Sequence, residues 1–113
     1  MKSGNKLAAC AFVGLFALST LFGAESAARA ASVQIGEANF KKYCEACHPN
    51  GGNVLRPIKN LSKTVRERNG IKTVNDIVKL LRKPGEDMTV YDEKTLSEKD
   101  ARNIAEYVIK TFK

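Results

Sequence analysis

Apolar positions in this chain recur at intervals of three and four rather than two. Gly36 and Phe40 lie four apart on one face, and the next step of four reaches Cys44. Ser32 precedes this run as a plausible N-cap, so a first helix is expected over residues 33–43. Residues 61–68 predict a short second helix stopped by Asn69-Gly70. Val74, Ile77, Val78 and Leu81 give one buried face of a third, opened by Thr73 with Asp76 and ended by Pro84-Gly85. Ser97 with Asp100 caps a last helix to about Thr111, whose stripe is Ala101, Ile104, Ala105, Val108 and Phe112. Gly36 is placed to admit Ile104 or Tyr107 where the first and last helices cross. No strand-like alternation of any length interrupts this pattern. The expected class is all-α.

The first 30 residues follow a different rule. Lys2 and Lys6 precede an apolar run from Leu7 to Ala24, and Ala28-Arg29-Ala30 reads as a cleavage signal. Residues 1–30 are therefore expected to be a secretory signal peptide, and 31–113 the mature domain. An uncleaved membrane anchor is the competing reading, weakened by Gly14, Ser19, Thr20 and Gly23 within the run. Leu7-Ala8-Ala9-Cys10 looks like a lipoprotein box, but it precedes nearly all of the apolar core it should follow.

Export changes how the cysteines are read. Once Cys10 is removed, only Cys44 and Cys47 remain, and a pair so close in sequence cannot staple a domain. A domain of this size has a thin core and gains from an embedded apolar group. The chain carries a formal charge of +7, and loss of Lys2, Lys6, Arg29 and Glu25 with the prefix leaves +5.

Cys44-Glu45-Ala46-Cys47-His48 is the attachment signature of a c-type haem. On a helical turn the two thiols project to one side, where they would add to the haem vinyl groups, and His48 can reach the iron from the proximal face. Pro49 to Asn53 cannot continue a helix. The apolar run of Val54, Leu55, Pro57 and Ile58 should then cross the proximal side. There the Pro57 carbonyl either accepts the second ring proton of His48 or belongs to a plain turn. Met88 is the only methionine beyond the initiator and sits in a polar, helix-breaking loop, where core packing explains it poorly. Its thioether is a soft ligand suited to haem iron, and no second histidine competes. Met88 is thus the expected distal ligand.

With these residues in place, the chain resembles a class I monohaem cytochrome c, nearest to the bacterial and photosynthetic cytochrome c6 or c553 group. The likeness rests on Gly36, Phe40, Cys44, Cys47, His48, the Gly51-Gly52-Asn53-Val54 run, Met88, Ile104 and Tyr107, and spans nearly all of residues 31–113. It implies a cytochrome c fold, with short helices wrapped round one covalently attached haem c. It also implies His48 and Met88 as axial ligands, Cys44 and Cys47 as thioether anchors, and the Pro57 carbonyl as partner of His48. Two departures stand out. Thr89 follows the methionine where the family often has proline, and the chain has no tryptophan. Thr89 leaves the distal loop less constrained.

The function expected is a periplasmic one-electron carrier, a soluble monomer and not an enzyme, whose cofactor supplies the redox chemistry. Lys41 and Lys42, then Lys59, Lys63, Arg66, Arg68 and Lys72, then Lys79, Arg82 and Lys83 form three basic patches suited to brief docking with an acidic redox partner. The alternative is a haem enzyme or small-ligand sensor in which Met88 is labile. A thiol–disulfide oxidoreductase would need a strand before Cys44 and would leave His48 idle. A zinc site would need a fourth ligand that the spacing does not supply. Nucleic acid binding is argued against by export and by the lack of aromatic–basic interleaving.

Overall fold

A computed structural model describes residues 21–113, which form four helices: α1 Leu21–Tyr43, α2 Lys63–Arg68, α3 Val74–Arg82 and α4 Glu98–Thr111. Single 3-10 turns at Pro49–Gly51 and Pro57–Lys59 punctuate the connection from α1 to α2. The described residues contain no strand, so the all-α expectation holds. None of the described helices is long and apolar enough to cross a membrane. Cys10 and most of the expected leader lie outside the described residues.

The first helix starts well before Ser32. Ala24, Ala27, Ala28, Ala30 and Ala31 are strong helix formers, and nothing between them breaks the helix. Ser32 does not cap it. Its hydroxyl is directed at the Arg29 carbonyl one turn back and at the Glu106 carboxylate of α4. Residues 23–31 are all exposed, and the buried positions of α1 begin in its second half, at Gly36 and Phe40.

That second half crosses α4 at Gly36. A Cβ there would run into the backbone carbonyl of Asn103, whose carbon is 2.6 Å away, and would sit 2.9 Å from Cβ of Tyr107. The neighbour across the crossing is therefore Asn103 together with Tyr107, not Ile104. Beside the crossing, Asn39 Nδ2 donates to Asp100 Oδ1 at 3.1 Å, and the Phe40 ring meets Tyr107 at 5.3 Å and Phe112 at 5.5 Å. These tilted aromatic contacts extend the interface towards the C-terminus.

The core grows from this junction. Ile77, Val78 and Leu81 of α3 are buried with Ala101, Ile104, Ala105 and Val108 of α4, as their spacing requires. Thr73 and Asp76 form a full capping box at the start of α3, and Ser97 Oγ accepts the Asp100 N–H at 3.1 Å at the start of α4. The end of α2 is closed by two reverse bonds, Gly70 N–H to the Glu67 carbonyl and Ile71 N–H to the Arg66 carbonyl, with Gly70 left-handed.

Two arginines expected on the docking surface are structural instead. Arg66 is only 5% exposed; its Nε donates to the Leu61 carbonyl at 2.8 Å and its Nη2 to the Phe112 carbonyl at 3.3 Å. Arg82 Nη1 donates to the carbonyls of Tyr91 and Leu96, which fastens the long α3–α4 loop to its own starting helix. Their forked donors reach backbone carbonyls that no helix satisfies.

Because the atom facing Gly36 is backbone, it cannot rotate away. Gly36→Ala is expected to lower the unfolding free energy by about 2 kcal/mol, in the range of overpacked interiors, with the change read as a lowered midpoint in chemical denaturation.

Candidate functional site

The end of α1, the turn after it, the 53–61 segment, α3, the Met88 loop and α4 enclose one cavity of about 570 Å3. That volume lies within the range of about 300–1,000 Å3 usual for cofactor and ligand pockets. Phe40, Leu81, Ile104 and Val108 line its depth, while Arg56 and Lys59 border it from the 53–61 segment. Cys44, Cys47, His48 and Met88 all line it. Four residues singled out by chemistry thus meet in one place.

Local hydrogen bonding explains how the first three arrive there. Cys44 N–H still bonds the Phe40 carbonyl at 2.8 Å, which extends the helical turn beyond Tyr43. Cys47 N–H and His48 N–H both reach the Cys44 carbonyl, at 3.1 and 2.9 Å. Both thiols and the imidazole therefore hang from one tight turn. Gly51 then folds back left-handed under the Phe112 ring, where a side chain would be only 2.7 Å from Cε1.

His48 is half-buried, and its Nδ1 lies 2.7 Å from the Gly52 carbonyl. A carbonyl only accepts, so the proton belongs on Nδ1 and Nε2 is left with its lone pair. That is the tautomer a metal-bound histidine needs, with the far nitrogen held by an acceptor. The acceptor differs from the one expected. Pro57 is exposed and does not line the cavity, and its carbonyl receives the Asn60 side-chain amide at 3.3 Å. The reason is geometric: the turn at Pro49–Gly51 delivers the Gly52 carbonyl to the ring first, and Pro57 opens a separate 3-10 turn.

Cys44 is buried and Cys47 exposed, and both are free. Burial, followed by the neighbouring Cys47, pushes the Cys44 thiol up to about 11. A disulfide exchanger needs its attacking thiol pushed down, so Cys44 is poorly suited to that role. Nor do these residues form a zinc site: among the described residues, no group of three or more His, Cys, Asp or Glu side chains could hold a metal ion.

Met88 is partly buried against the core as well as lining the cavity, so packing and ligation are both open to it. Sequence reasoning missed what holds its loop. Tyr91 N–H bonds the Leu81 carbonyl at 3.0 Å, and Tyr91 Oη donates to the Tyr43 carbonyl at 2.7 Å. That bond ties the loop to the end of α1, next to Cys44. Burial, followed by the nearby Cys44, raises the Tyr91 phenol above its ordinary value. An aromatic residue three positions after the lone methionine was the available signal, and its partner was not visible in one dimension.

Comparison with known proteins gives this site a lineage. Residues 31–108 match the family model described as cytochrome c oxidase, cbb3-type, subunit III. Cytochrome c6 of Cyanidium caldarium is 33% identical over 92 residues, covering 81% of this chain and 83% of its own. Among solved structures, OmcF, an outer membrane cytochrome F of Geobacter sulfurreducens, is 41% identical with a TM-score of 0.68, over 69% of this chain and 99% of its own. Cytochrome c6C of Synechococcus sp. PCC 7002 is 32% identical with a TM-score of 0.65, over 69% and 94%. The chain belongs to the cytochrome c6 family of class I monohaem cytochromes. Its fold is the cytochrome c fold, it is a one-electron carrier rather than an enzyme, and family membership implies a c-type haem as cofactor.

The Tyr91–Tyr43 tie can be cut by removing a single oxygen atom. Tyr91→Phe removes one half-buried hydrogen bond and is expected to lower stability by about 1 kcal/mol in urea denaturation. Unchanged stability would mean that the bond contributes nothing to holding the loop.

Proposed function

We propose that this chain is exported, cut after Ala30, and works in the periplasm as a monomer holding one haem c. Cys44 and Cys47 would form the thioether links, and His48 Nε2 and the Met88 sulfur would hold the iron. The observation that carries this reading is the His48 hydrogen bond to the Gly52 carbonyl at 2.7 Å, which frees Nε2 in the same cavity that both thiols and Met88 line. When bound, the haem supplies the Fe(III)/Fe(II) couple.

The residues around the cavity have matching tasks. The apolar wall of Phe40, Leu81, Ile104 and Val108 keeps water from the buried faces of the macrocycle. Arg66, deeply buried and without a carboxylate partner among the salt bridges of the described residues, gives that wall a positive charge suited to ionised propionates. Residues 23–30, which cleavage after Ala30 would remove, are exposed, and every buried core residue lies beyond them, so the mature fold keeps its core.

Docking falls to the rim. Leu55 and Lys59 both line the cavity and are exposed, Val54 and Ile58 are exposed beside them in sequence, and Val90 is exposed between the cavity-lining Thr89 and Tyr91. Apolar contact set among lysines suits a short-lived complex with an acidic redox partner, steered by charge and screened by salt.

A potentiometric titration followed by visible spectroscopy tests the reading directly. The matured protein should keep its colour after denaturation and acidic acetone extraction, and should titrate as a single one-electron couple. Its oxidised form should show the weak far-red sulfur-to-iron band. Met88→Ala should abolish that band and lower the potential, while Cys44→Ser with Cys47→Ser should make the haem extractable. No covalently bound haem in correctly matured protein would end the proposal.

A further inference from the structure

The loop bearing Met88 lacks the stiffening proline, yet it is fastened on both sides of the methionine. Tyr91 holds the far side, as described above. On the near side stands Asp87, whose φ of 69° is left-handed, a conformation that L side chains seldom adopt and aspartate tolerates better than most. Arg56 reaches across to it. Its Nε and Nη2 both donate to Asp87 Oδ2, at 2.9 and 2.6 Å, and the Glu86 carboxylate lies 3.7 Å from the same Nη2.

We propose that the Arg56–Asp87 ion pair is a clasp that holds the Met88 loop against the segment following His48, making Arg56 a positioning residue for the Met88 sulfur. The inference rests on Met88 being the distal ligand. Three observations support it. Arg56 and Asp87 both line the cavity, so the pair joins two of its walls. The arginine's own backbone is fixed, because Asn53 Oδ1 accepts the N–H groups of both Leu55 and Arg56, and Asn53 Nδ2 donates to the Lys59 carbonyl. Finally, Asp87 adjoins Met88 directly, so carrying the Met88 backbone away from the cavity stretches or breaks the pair.

The clasp is a weak one. The side chains are 44% and 49% exposed, so water and salt screen the pair. Exposed ion pairs of good geometry shift an equilibrium by about 1.5- to fivefold. The clasp therefore biases the loop towards closure without locking it. Fixed loop ends and a breakable middle would let an outside ligand displace Met88 at a measurable concentration.

The test uses the oxidised, haem-loaded protein titrated with imidazole, read by loss of the far-red sulfur-to-iron band. Arg56→Gln and Asp87→Asn are each expected to bind imidazole about two- to fivefold more tightly than the parent. The double variant should gain little beyond either single change, because both remove the same pair. Raising the sodium chloride concentration should tighten imidazole binding to the parent and not to the variants. Unchanged imidazole affinity with the band intact overturns the clasp and leaves Met88 ligation standing. Absence of the band in the parent overturns the ligation, and the clasp falls with it. Affinity that changes only in step with the global unfolding midpoint assigns the pair to general stability and also overturns the proposal.

Discussion

The rest of this structure hangs on the approach of two helix backbones at Gly36 and Asn103. Without a side chain on one of them, the second half of α1 lies directly on α4. That contact fixes where Phe40 and Tyr107 meet, and so where the chain must turn as α1 ends. The turn in question carries both thiols and the imidazole. A long-range contact between the two ends of the domain thus determines the position of the most local motif in it. The cavity in turn is roofed and walled by residues from α3, α4 and the loop between them, which reach their places by packing on the same α4 surface.

A second constraint acts within the turn. Nitrogen Nδ1 of His48 can be satisfied by any well-placed carbonyl, and the left-handed glycine at 51 brings the Gly52 carbonyl close enough. Because the acceptor lies only four residues away, the tautomer is set by local geometry and does not depend on the more distant 53–61 segment. That separation leaves Arg56 free to act on the other wall.

Helix identity was legible because spacing and caps carry it. Thr73 with Asp76, Ser97 with Asp100, and Asn69-Gly70 each mark a boundary through bonds made within a few residues. The start of α1 was misjudged because an alanine-rich run has high intrinsic helicity and Ser32 has a backbone carbonyl one turn earlier to bond instead of capping. Cys44, Cys47, His48 and Met88 were legible through residue chemistry, and they line one cavity. The partner of His48 was read as Pro57, since sequence cannot say which of several nearby carbonyls arrives first. Arg66 and Arg82 look like surface charge in the sequence because nothing in one dimension distinguishes a solvated arginine from one forked onto backbone carbonyls. Tyr91 and Arg56 were missed as loop fasteners for the same reason: their partners are far away in sequence.

One feature of the folded chain bears on the order in which the protein is assembled. Cys44 is buried, and its thiol is held well above the pH of any ordinary compartment. A protonated thiol is a poor nucleophile, and this one is approached only from the cavity that it lines. The proposed attachment at Cys44 would therefore be easier while the chain is still open, before the helices close over the cavity. Folding ahead of loading would work against it, because the sulfur that has to react is the one the fold encloses.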